Sequence, residues 1–263
     1  MSAVNDLEFA SWLARGAGEI LTQLRQRSTM TGKQLGYLGD IRSSEFLMER
    51  LAALRPDDGV LCEETLDNPG RLAKTRVWII DPLDGTREFC EGRTDWAVHV
   101  ALAVGGEPMF GAVALPALDL IHLSEEPLYL GERHVPPRML VSRTRPSPHA
   151  VAVAERIGAI LVPMGSAGAK AMAVVRGEAE IYLHSGGQYE WDNCAPAAVA
   201  AAAGLHVSRL DGSPLRYNNR SPWLPDLLIC RGELAPRILA ALRDHDPSDT
   251  SEPGPPFTAS RQA

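Results

Sequence analysis

Acidic residues stand in this sequence where predicted strands end, so several carboxylates can meet at one place. The run Asp81-Pro82-Leu83-Asp84-Gly85-Thr86 follows an apolar strand, and its proline and glycine turn the chain. By itself such a run also fits an ordinary β-turn. Two carboxylates about 4 Å apart, however, repel each other by roughly 4 kcal/mol at an effective dielectric constant of about 20, so a crowded group needs cations. Oxygen ligands of this kind suit Mg²⁺, which also binds phosphate.

Three further acidic residues occupy similar positions elsewhere in the chain. Glu63 ends a short strand, Asp40 precedes a predicted helix, and Asp192 stands near the start of another helix. Either Asp192 or Asn193 is expected to be the N-cap of that helix, with Pro196 in its first turn. A capping Asp keeps a second oxygen for a metal, so the two roles of Asp192 are compatible.

Apolar periodicity predicts the elements that must position these side chains. Helical spacing covers residues 7–27 and 43–54, and a glycine-rich stretch at 32–36 is expected to break the helical pattern before Asp40. Apolar runs predict strands at 60–62, 77–80, 95–104, 110–115, 121–123, 139–141, 160–162, 181–183 and 227–230. Further helices are predicted at 150–157, 168–175 and 195–203.

The length of 263 residues allows one large α/β unit or two closely packed halves. Prolines near residue 137 mark the expected boundary, so we predict an N-terminal α+β half at 1–137 that carries most metal ligands. The C-terminal α/β half, 138–245, would carry Asp192 and the substrate contacts. Residues 246–263 are polar and proline-rich, and we predict that they form a disordered tail.

Charge and composition argue against several other functions. The net charge of −7 disfavours nucleic acid as a partner, because binding to a phosphate backbone needs clustered Lys and Arg. No apolar run reaches the roughly 20 residues of a membrane span, and the N-terminus is unlike a signal peptide. The cysteines are dispersed without a C-x-x-C pair, so we expect a reduced cytoplasmic protein. The sequence also lacks a zinc-type His pattern, a nucleophile elbow and a Walker A motif.

Three motifs together carry a resemblance to a known family. Glu63-Glu64, the run from Asp81 to Thr86, and Trp191-Asp192 resemble in order and spacing the signatures of the inositol monophosphatase superfamily. The resemblance covers roughly residues 5–240 of the chain. It implies a layered α-β-α-β-α sandwich of the inositol monophosphatase and fructose-1,6-bisphosphatase type. It also implies Mg²⁺-dependent, often lithium-sensitive hydrolysis of a phosphate monoester.

The resemblance assigns metal ligands residue by residue. Glu63, Asp81 and the backbone carbonyl of Leu83 would hold one Mg²⁺. Asp81, Asp84 and Asp192 would hold the second ion. In such a site metal ions clamp the attacking and leaving oxygens of the phosphoryl group and stabilise the charge that develops there.

The resemblance also implies the residues that act on water and phosphate. Thr86 and Glu63 would orient and deprotonate the attacking water, with Asp40 assisting. Glu64 would act beside the ligands or at a weak third metal. The backbone N–H groups of Gly85 and Thr86, which open a turn or helix, would add donors for phosphate oxygens.

Two segments resemble those of the 3′(2′),5′-bisphosphate nucleotidase branch of this superfamily. Enzymes of that branch act in actinobacterial sulfate assimilation. One segment is the run from Trp191 to Pro196, and the other is the run from Gly165 through Ser166 to Lys170. In that branch the latter segment brings a Lys to the 5′-phosphate of the substrate. The implied substrate is 3′-phosphoadenosine 5′-phosphate, and its sulfated form is a further candidate.

Several contacts and alternatives stay open. Ser142 and Arg143, just after a strand, are candidates for contact with phosphate or base, although an exposed Arg is commonly only solvated. His184 stands where nucleotidase relatives often carry Arg. The usual Thr-x-Ala-Asp segment is here Tyr37-Leu38-Gly39-Asp40, so only its Asp is kept.

Other functions remain possible on the sequence alone. An inositol monophosphatase or fructose-1,6-bisphosphatase is the nearest enzyme alternative, and a metal- or nucleotide-binding regulator is the alternative from another class. The expected partner is a small phosphorylated nucleotide, bound with two or three Mg²⁺ ions. Neither nucleic acid nor a membrane is expected as a partner, and the sequence leaves formation of a homodimer open.

Overall fold

The fold is described from a computed structural model of the chain, which defines residues 5–125 and 131–244. Two long helices begin it, α1 at Asp6–Arg27 and α2 at Gly32–Leu54. Asn5 caps α1 by accepting the N–H of Leu7 at 2.8 Å, and the helix has acidic residues in its first turn and basic residues in its last. The helix predicted at 7–27 is therefore confirmed.

The first sheet contains five strands in the order β1-β2-β3-β4-β5. β1 is parallel to β2, and the other neighbours are antiparallel. Gly105 and Gly106, both with positive φ, form the tight turn between β3 and β4. The strands are β1 Gly59–Cys62, β2 Arg76–Asp84, β3 Ala97–Val104, β4 Glu107–Leu115 and β5 Leu120–Leu123.

The second sheet contains the later strands in the order β7-β6-β8-β10-β9, with β6 parallel to both β7 and β8. Its strands are β6 Arg138–Ser142, β7 Ile160–Met164, β8 Ile181–Tyr189, β9 His206–Ser208 and β10 Trp223–Cys230. β9 was not predicted. The remaining helices are α3 Thr86–Cys90, α4 Pro148–Ile157, α5 Ala167–Val175, α6 Glu190–Ala202 and α7 Ala235–Arg243. Within the described residues, no helix is both long and apolar enough to cross a membrane.

Three apolar cores hold the elements in five layers. The first core joins α1 and α2 to one face of the first sheet. The second core joins the opposite face of that sheet to α5 and α6 and to the second sheet. The third core joins the far face of the second sheet to α4 and α7. The α-β-α-β-α sandwich that the resemblance implied is therefore confirmed, and the predicted tail 246–263 lies outside the described residues.

The predicted start of the second helix was wrong. The glycine-rich stretch at 32–36 does not break the chain, because α2 begins at Gly32 rather than at residue 43. Its glycines serve close packing instead: a Cβ on Gly36 would stand 2.8 Å from the Thr86 methyl group, and one on Gly39 would stand 3.1 Å from Leu83. Asp40 therefore lies inside a rigid helix that abuts the Asp81–Thr86 run.

Close packing of α6 against β4 gives a testable consequence for stability. Gly111→Ala adds a Cβ 2.7 Å from the carbonyl oxygen of Ala195, which belongs to the α6 backbone and cannot rotate away. We expect the free energy of unfolding, measured by urea denaturation, to fall by about 1–3 kcal/mol. Gly232→Ala is the matched control, since nothing lies within 4 Å of its added Cβ. Equal stability of the two variants would contradict this account of the packing.

Candidate metal centre

A bulge in β2 brings Asp81 and Asp84 to the same side of the first sheet. Asp81 pairs with His99 and Asp84 pairs with Ala97, so three steps along β2 oppose two along β3. In a regular strand two residues three positions apart face opposite sides of the sheet, and the extra residue corrects this. Pro82, which has no N–H to give to the ladder, lies within the bulge.

Asp192 reaches the same place from the start of α6. The expectation that Asp192 or Asn193 is the N-cap was wrong: β8 runs directly into α6, whose N-cap is Tyr189. Asp192 is the third helical residue, and its Oδ2 accepts the N–H of Tyr189 at 2.6 Å. Pro196 accordingly lies inside the helix rather than in its first turn.

The three aspartates form a cluster suited to a cation. Oxygens of Asp81, Asp84 and Asp192 lie within 4.8 Å of one another. Oδ1 of Asp81 accepts the N–H of Leu83 at 3.0 Å, which leaves its second oxygen for another ligand. Because every donor is a carboxylate oxygen, the set fits a hard divalent cation.

The pKa values of the cluster show the cost of crowding these groups. Burial and then Glu63 raise the pKa of Asp81 well above its ordinary range. Burial and then Asp84 raise the pKa of Asp192 to about 6. The pKa of Glu63 is raised in the same way, first by burial and then by Asp192. In the absence of a cation, therefore, protons bind these carboxylates at pH values where free ones are ionised.

Asp84 is the exception, because the start of α5 surrounds its carboxylate with donors. Its Oδ2 accepts the Ser166 hydroxyl and the N–H of Gly168 at 2.6 Å, and its Oδ1 accepts the N–H of Ala167 at 3.1 Å. Although burial opposes ionisation, His99 and these bonds together lower the pKa of Asp84 to about 2. One lone pair of Oδ1 stays available to a cation.

His99 is a member of the site that the sequence analysis missed. Its side chain is fully buried, with Nε2 3.2 Å from Asp84 Oδ2 in a contact that is electrostatic rather than a well-aligned hydrogen bond. Nδ1 lies 2.9 Å from the carbonyl oxygen of Trp191, which only accepts, so Nδ1 carries a proton. Burial lowers the pKa of His99, but Asp84, the Trp191 carbonyl and Asp192 together outweigh burial, so the pKa is raised. The available signal was a single polar residue in an otherwise apolar strand.

Thr86 lies next to Asp40 and to the carbonyl of Leu83, close in the chain to Asp84. Thr86 is the first residue of α3, and its Oγ1 is 3.3 Å from Asp40 Oδ1 and 3.1 Å from the carbonyl oxygen of Leu83. Gly85 precedes it with φ of 85°, a left-handed conformation that favours glycine. Glu63 follows β1, whose parallel pairing with β2 puts the carboxyl ends of both strands at one edge of the sheet. It lies outside the 4.8 Å group of aspartates.

Lys170, in the first half of α5, is almost completely enclosed. Its side chain is 5 % exposed, and its ammonium group donates to the carbonyl oxygens of Ser166 and, at 3.4 Å, Gly165. The ammonium nitrogen also lies 5.2 Å from the centre of the Tyr182 ring. Burial lowers the pKa of Lys170. Two of its three N–H donors are therefore engaged by the segment that carries it.

The candidates after β6 differ in their surroundings. Arg143 forms ion pairs with Glu88 at 2.9 Å and Glu91 at 2.7 Å, so carboxylates of the chain already balance its charge. The hydroxyl of Ser142 accepts the backbone N–H of Arg145 at 3.3 Å. Both predicted contacts lie near the start of α5 rather than within the aspartate cluster.

Removing a carboxylate from the cluster should stabilise the metal-free protein. The pKa of Asp192, about 6 in the fold, exceeds its unfolded value of about 4. Its contribution to stability is therefore complete below pH 4 and is lost as pH rises through 6. In a chelating buffer, Asp192→Asn should raise the free energy of unfolding by about 1–3 kcal/mol at pH 7.5 and change it little at pH 4.

In excess Mg²⁺ the wild-type protein should have a larger free energy of unfolding than Asp192→Asn at pH 7.5, because only the native carboxylate is stabilised by binding the cation. The control is Asp119→Asn, at an exposed position outside the cluster, which should show neither effect. Urea denaturation at both pH values measures all three proteins. No gain for Asp192→Asn at pH 7.5 would contradict the assignment of repulsion to this cluster.

Comparison with known proteins agrees with the family resemblance carried by the motifs. Residues 4–246 match the model of the inositol monophosphatase family. A Mycobacterium leprae protein named 3′-phosphoadenosine 5′-phosphate phosphatase is 47 % identical, over 92 % of this chain and 94 % of its own. A protein of the same name from Mycobacterium bovis is 49 % identical, over 87 % and 90 %. The Escherichia coli 3′(2′),5′-bisphosphate nucleotidase CysQ is 30 % identical, over 81 % and 94 %.

Solved structures share the fold. Inositol monophosphatase II from Staphylococcus aureus superposes with a TM-score of 0.74 at 22 % identity, covering 90 % of this chain and 93 % of its own. CysQ from Bacteroides thetaiotaomicron superposes with a TM-score of 0.71 at 22 % identity, covering 85 % and 96 %. The chain therefore belongs to the inositol monophosphatase family and is a phosphatase.

Proposed function

We propose that the chain is a Mg²⁺-dependent phosphatase that removes the 3′-phosphate of 3′-phosphoadenosine 5′-phosphate, giving AMP and phosphate. The substrate assignment is supported by the 47–49 % identity, over most of the chain, to mycobacterial proteins named for that activity. The cluster of three aspartates supports the metal dependence. A role in sulfur assimilation, lithium sensitivity, a cytoplasmic location and action on the sulfated nucleotide belong to the same proposal.

The metal-binding part of the proposal follows from the donor set. Asp81, Asp84 and Asp192 would hold Mg²⁺ together with Glu63 and the carbonyl of Leu83, in two or three sites. When bound, Mg²⁺ neutralises the carboxylates and withdraws charge from the phosphate oxygens. Asp84 would contribute its one available lone pair, because α5 fixes the rest of that carboxylate.

Thr86, Asp40 and Glu63 would handle the attacking water. The single hydroxyl hydrogen of Thr86 can go either to Asp40 or to the Leu83 carbonyl. Donation to Asp40 leaves lone pairs of Oγ1 to accept a hydrogen from water and orient it. Glu63, a carboxylate at the same edge of the sheet, would then accept a proton. The water oxygen bonds to phosphorus, the bond to O3′ breaks, and O3′ gains a proton from solvent.

Other residues would hold the substrate. Backbone N–H groups of Gly85 and Thr86 are candidate donors to the 3′-phosphate. The Gly165–Lys170 segment, including Ser166, would contact the rest of the nucleotide, and Lys170 retains one N–H for the 5′-phosphate. The ion-paired Arg143, with Ser142, would border that region rather than supply a free charge.

A phosphate-release assay tests the substrate. With Mg²⁺, we expect higher kcat/KM for 3′-phosphoadenosine 5′-phosphate than for inositol 1-phosphate or fructose 1,6-bisphosphate, because relatives of 47–49 % identity are named for the nucleotide and its 5′-phosphate can accept the remaining N–H of Lys170. We expect little release in excess chelator. Preference for inositol 1-phosphate or the sugar bisphosphate would overturn the nucleotidase assignment while leaving a phosphatase.

Asp81→Asn tests the metal scheme with little change to the fold. An Asn keeps the oxygen that accepts the Leu83 N–H but removes one negative charge from the cluster. We expect weaker Mg²⁺ binding in calorimetry and a fall in kcat of at least about 100-fold, with an unchanged circular dichroism spectrum. Asp119→Asn is the matched control and should retain both properties. Wild-type turnover in Asp81→Asn would show that the cluster is not the metal site.

A further inference from the structure

The peptide group that joins Pro82 to Leu83 lies inside the β2 bulge. β2 pairs with β3 at Asp81 and next at Asp84, so the register passes over the two residues between them. β1, on the other side of β2, ends level with Ile80. Pro82 and Leu83 are nevertheless buried. Because a buried peptide group without hydrogen bonds lowers stability, the polar atoms of this one need partners from outside the strand ladder.

Two side chains hold this peptide group from opposite directions. The Ser43 hydroxyl donates to the carbonyl oxygen of Pro82 at 2.7 Å. The N–H of Leu83 donates to Oδ1 of Asp81 at 3.0 Å. In a trans peptide the C=O and N–H bonds point opposite ways, so the two partners lie on opposite sides of one rigid plane. A rotation of that plane about its flanking bonds would break both hydrogen bonds together.

One face of α2 brings Ser43 to the bulge. Gly36, Asp40 and Ser43 follow one another at spacings of four and three residues, which places them on the same side of the helix. Gly36 allows the close approach of the Thr86 methyl group, and Oδ1 of Asp40 lies 3.3 Å from the Thr86 hydroxyl. Ser43, one turn further along, reaches the bulge itself. The same helix face therefore contacts both the metal-binding bulge and the start of α3.

The hydroxyl of Ser43 differs from that of an ordinary serine inside a helix. Such a hydroxyl generally faces water or donates to the carbonyl oxygen four residues earlier. Ser43 is 0 % exposed, and its hydroxyl donates to a residue 39 positions further along the chain. A hydroxyl has a single hydrogen, so this contact uses its whole capacity to donate. The bond to the bulge is thus specific to the tertiary structure and plays no part in holding α2 together.

We propose that Ser43 is a positioning residue that orients the Asp81 carboxylate by fixing the Pro82–Leu83 peptide group. The N–H of that group binds Oδ1 of Asp81, so its direction determines where the second oxygen of the carboxylate can lie. The proposal rests on the metal-binding part of the proposed function, in which that second oxygen holds Mg²⁺. Without the hydroxyl, the peptide plane is free to rotate and the N–H leaves Asp81. The cluster would then bind a cation less tightly, although all its carboxylates are still present.

Two serine variants separate this role from a general contribution to stability. Ser43→Ala removes the donor and adds no volume to the core, so the variant should fold. Ser208→Ala is the matched control, because Ser208 is 3 % exposed and its hydroxyl also donates to a backbone carbonyl oxygen at 2.7 Å. Ser208 belongs to β9, at an edge of the second sheet. Both variants lose one buried hydrogen bond to the backbone, and Ser43→Ala alone loses it at the bulge.

Hydrogen exchange of the Leu83 amide, followed by NMR in a chelating buffer, tests the orientation in the metal-free protein. We expect this amide to exchange at least about 10-fold faster in Ser43→Ala than in Ser208→Ala, because loss of the clamp allows the peptide group to open locally. An equal rate in the two variants would show that Ser43 acts on stability alone and would overturn the proposal.

Calorimetry with Mg²⁺ tests the consequence for the metal centre. Ser43→Ala should raise the Kd for Mg²⁺ about 10- to 100-fold, as the loss of a residue that orients a metal ligand commonly does, and Ser208→Ala should stay within about twofold of wild type. An unchanged Kd in Ser43→Ala would overturn the proposal. If wild type binds no Mg²⁺, the proposed metal centre is wrong, and selectively faster exchange at Leu83 would still show that Ser43 orients Asp81.

Discussion

Repulsion among buried carboxylates is the constraint on which this structure depends. Oxygens of Asp81, Asp84 and Asp192 lie within 4.8 Å of one another. Burial and mutual charge raise the pKa of two of them, whereas the protein itself neutralises only Asp84. An arrangement of this kind lowers the stability of the metal-free fold. It is physically reasonable when a cation supplies the missing charge, and the same cation can then attract a phosphate.

The aspartate cluster forms only when the first sheet packs against the inner helix layer, because its residues come from both. Two of its aspartates come from the first sheet and one from α6 in the inner helix layer, while α5 supplies the donors to Asp84. The fit is close: a Cβ on Gly168 would stand 2.0 Å from Nε2 of His99. Only glycine lets the start of α5 approach both that imidazole and Asp84. The site is therefore a product of tertiary packing, although its ligands belong to short local motifs.

The features that the sequence predicted correctly are those that a local pattern of residues determines. The apolar run at 77–80, the acidic residues after it and most helices follow from periodicity and residue type. It could not predict features that depend on distant partners. The β2 bulge needs the register against His99, and the early start of α2 depends on the close approach of Gly36 and Gly39 to residues about 45 to 50 positions away. In isolation these glycines resembled a chain break because glycine weakens isolated helices.

The same limit applies to Arg143, which the sequence singled out as a candidate for contact with phosphate. Glu88 and Glu91, more than 50 positions away, already balance its charge, and no local pattern could show this. The Gly165–Lys170 segment, by contrast, is fixed at its N–H groups by Asp84 and at its carbonyl groups by its own lysine. Its position relative to the aspartate cluster is therefore set by the same carboxylate that belongs to the cluster. A protein with a net charge of −7 can hold an anion at such a place, because a cation at the cluster and the buried ammonium of Lys170 put positive charge where the fold fixes it.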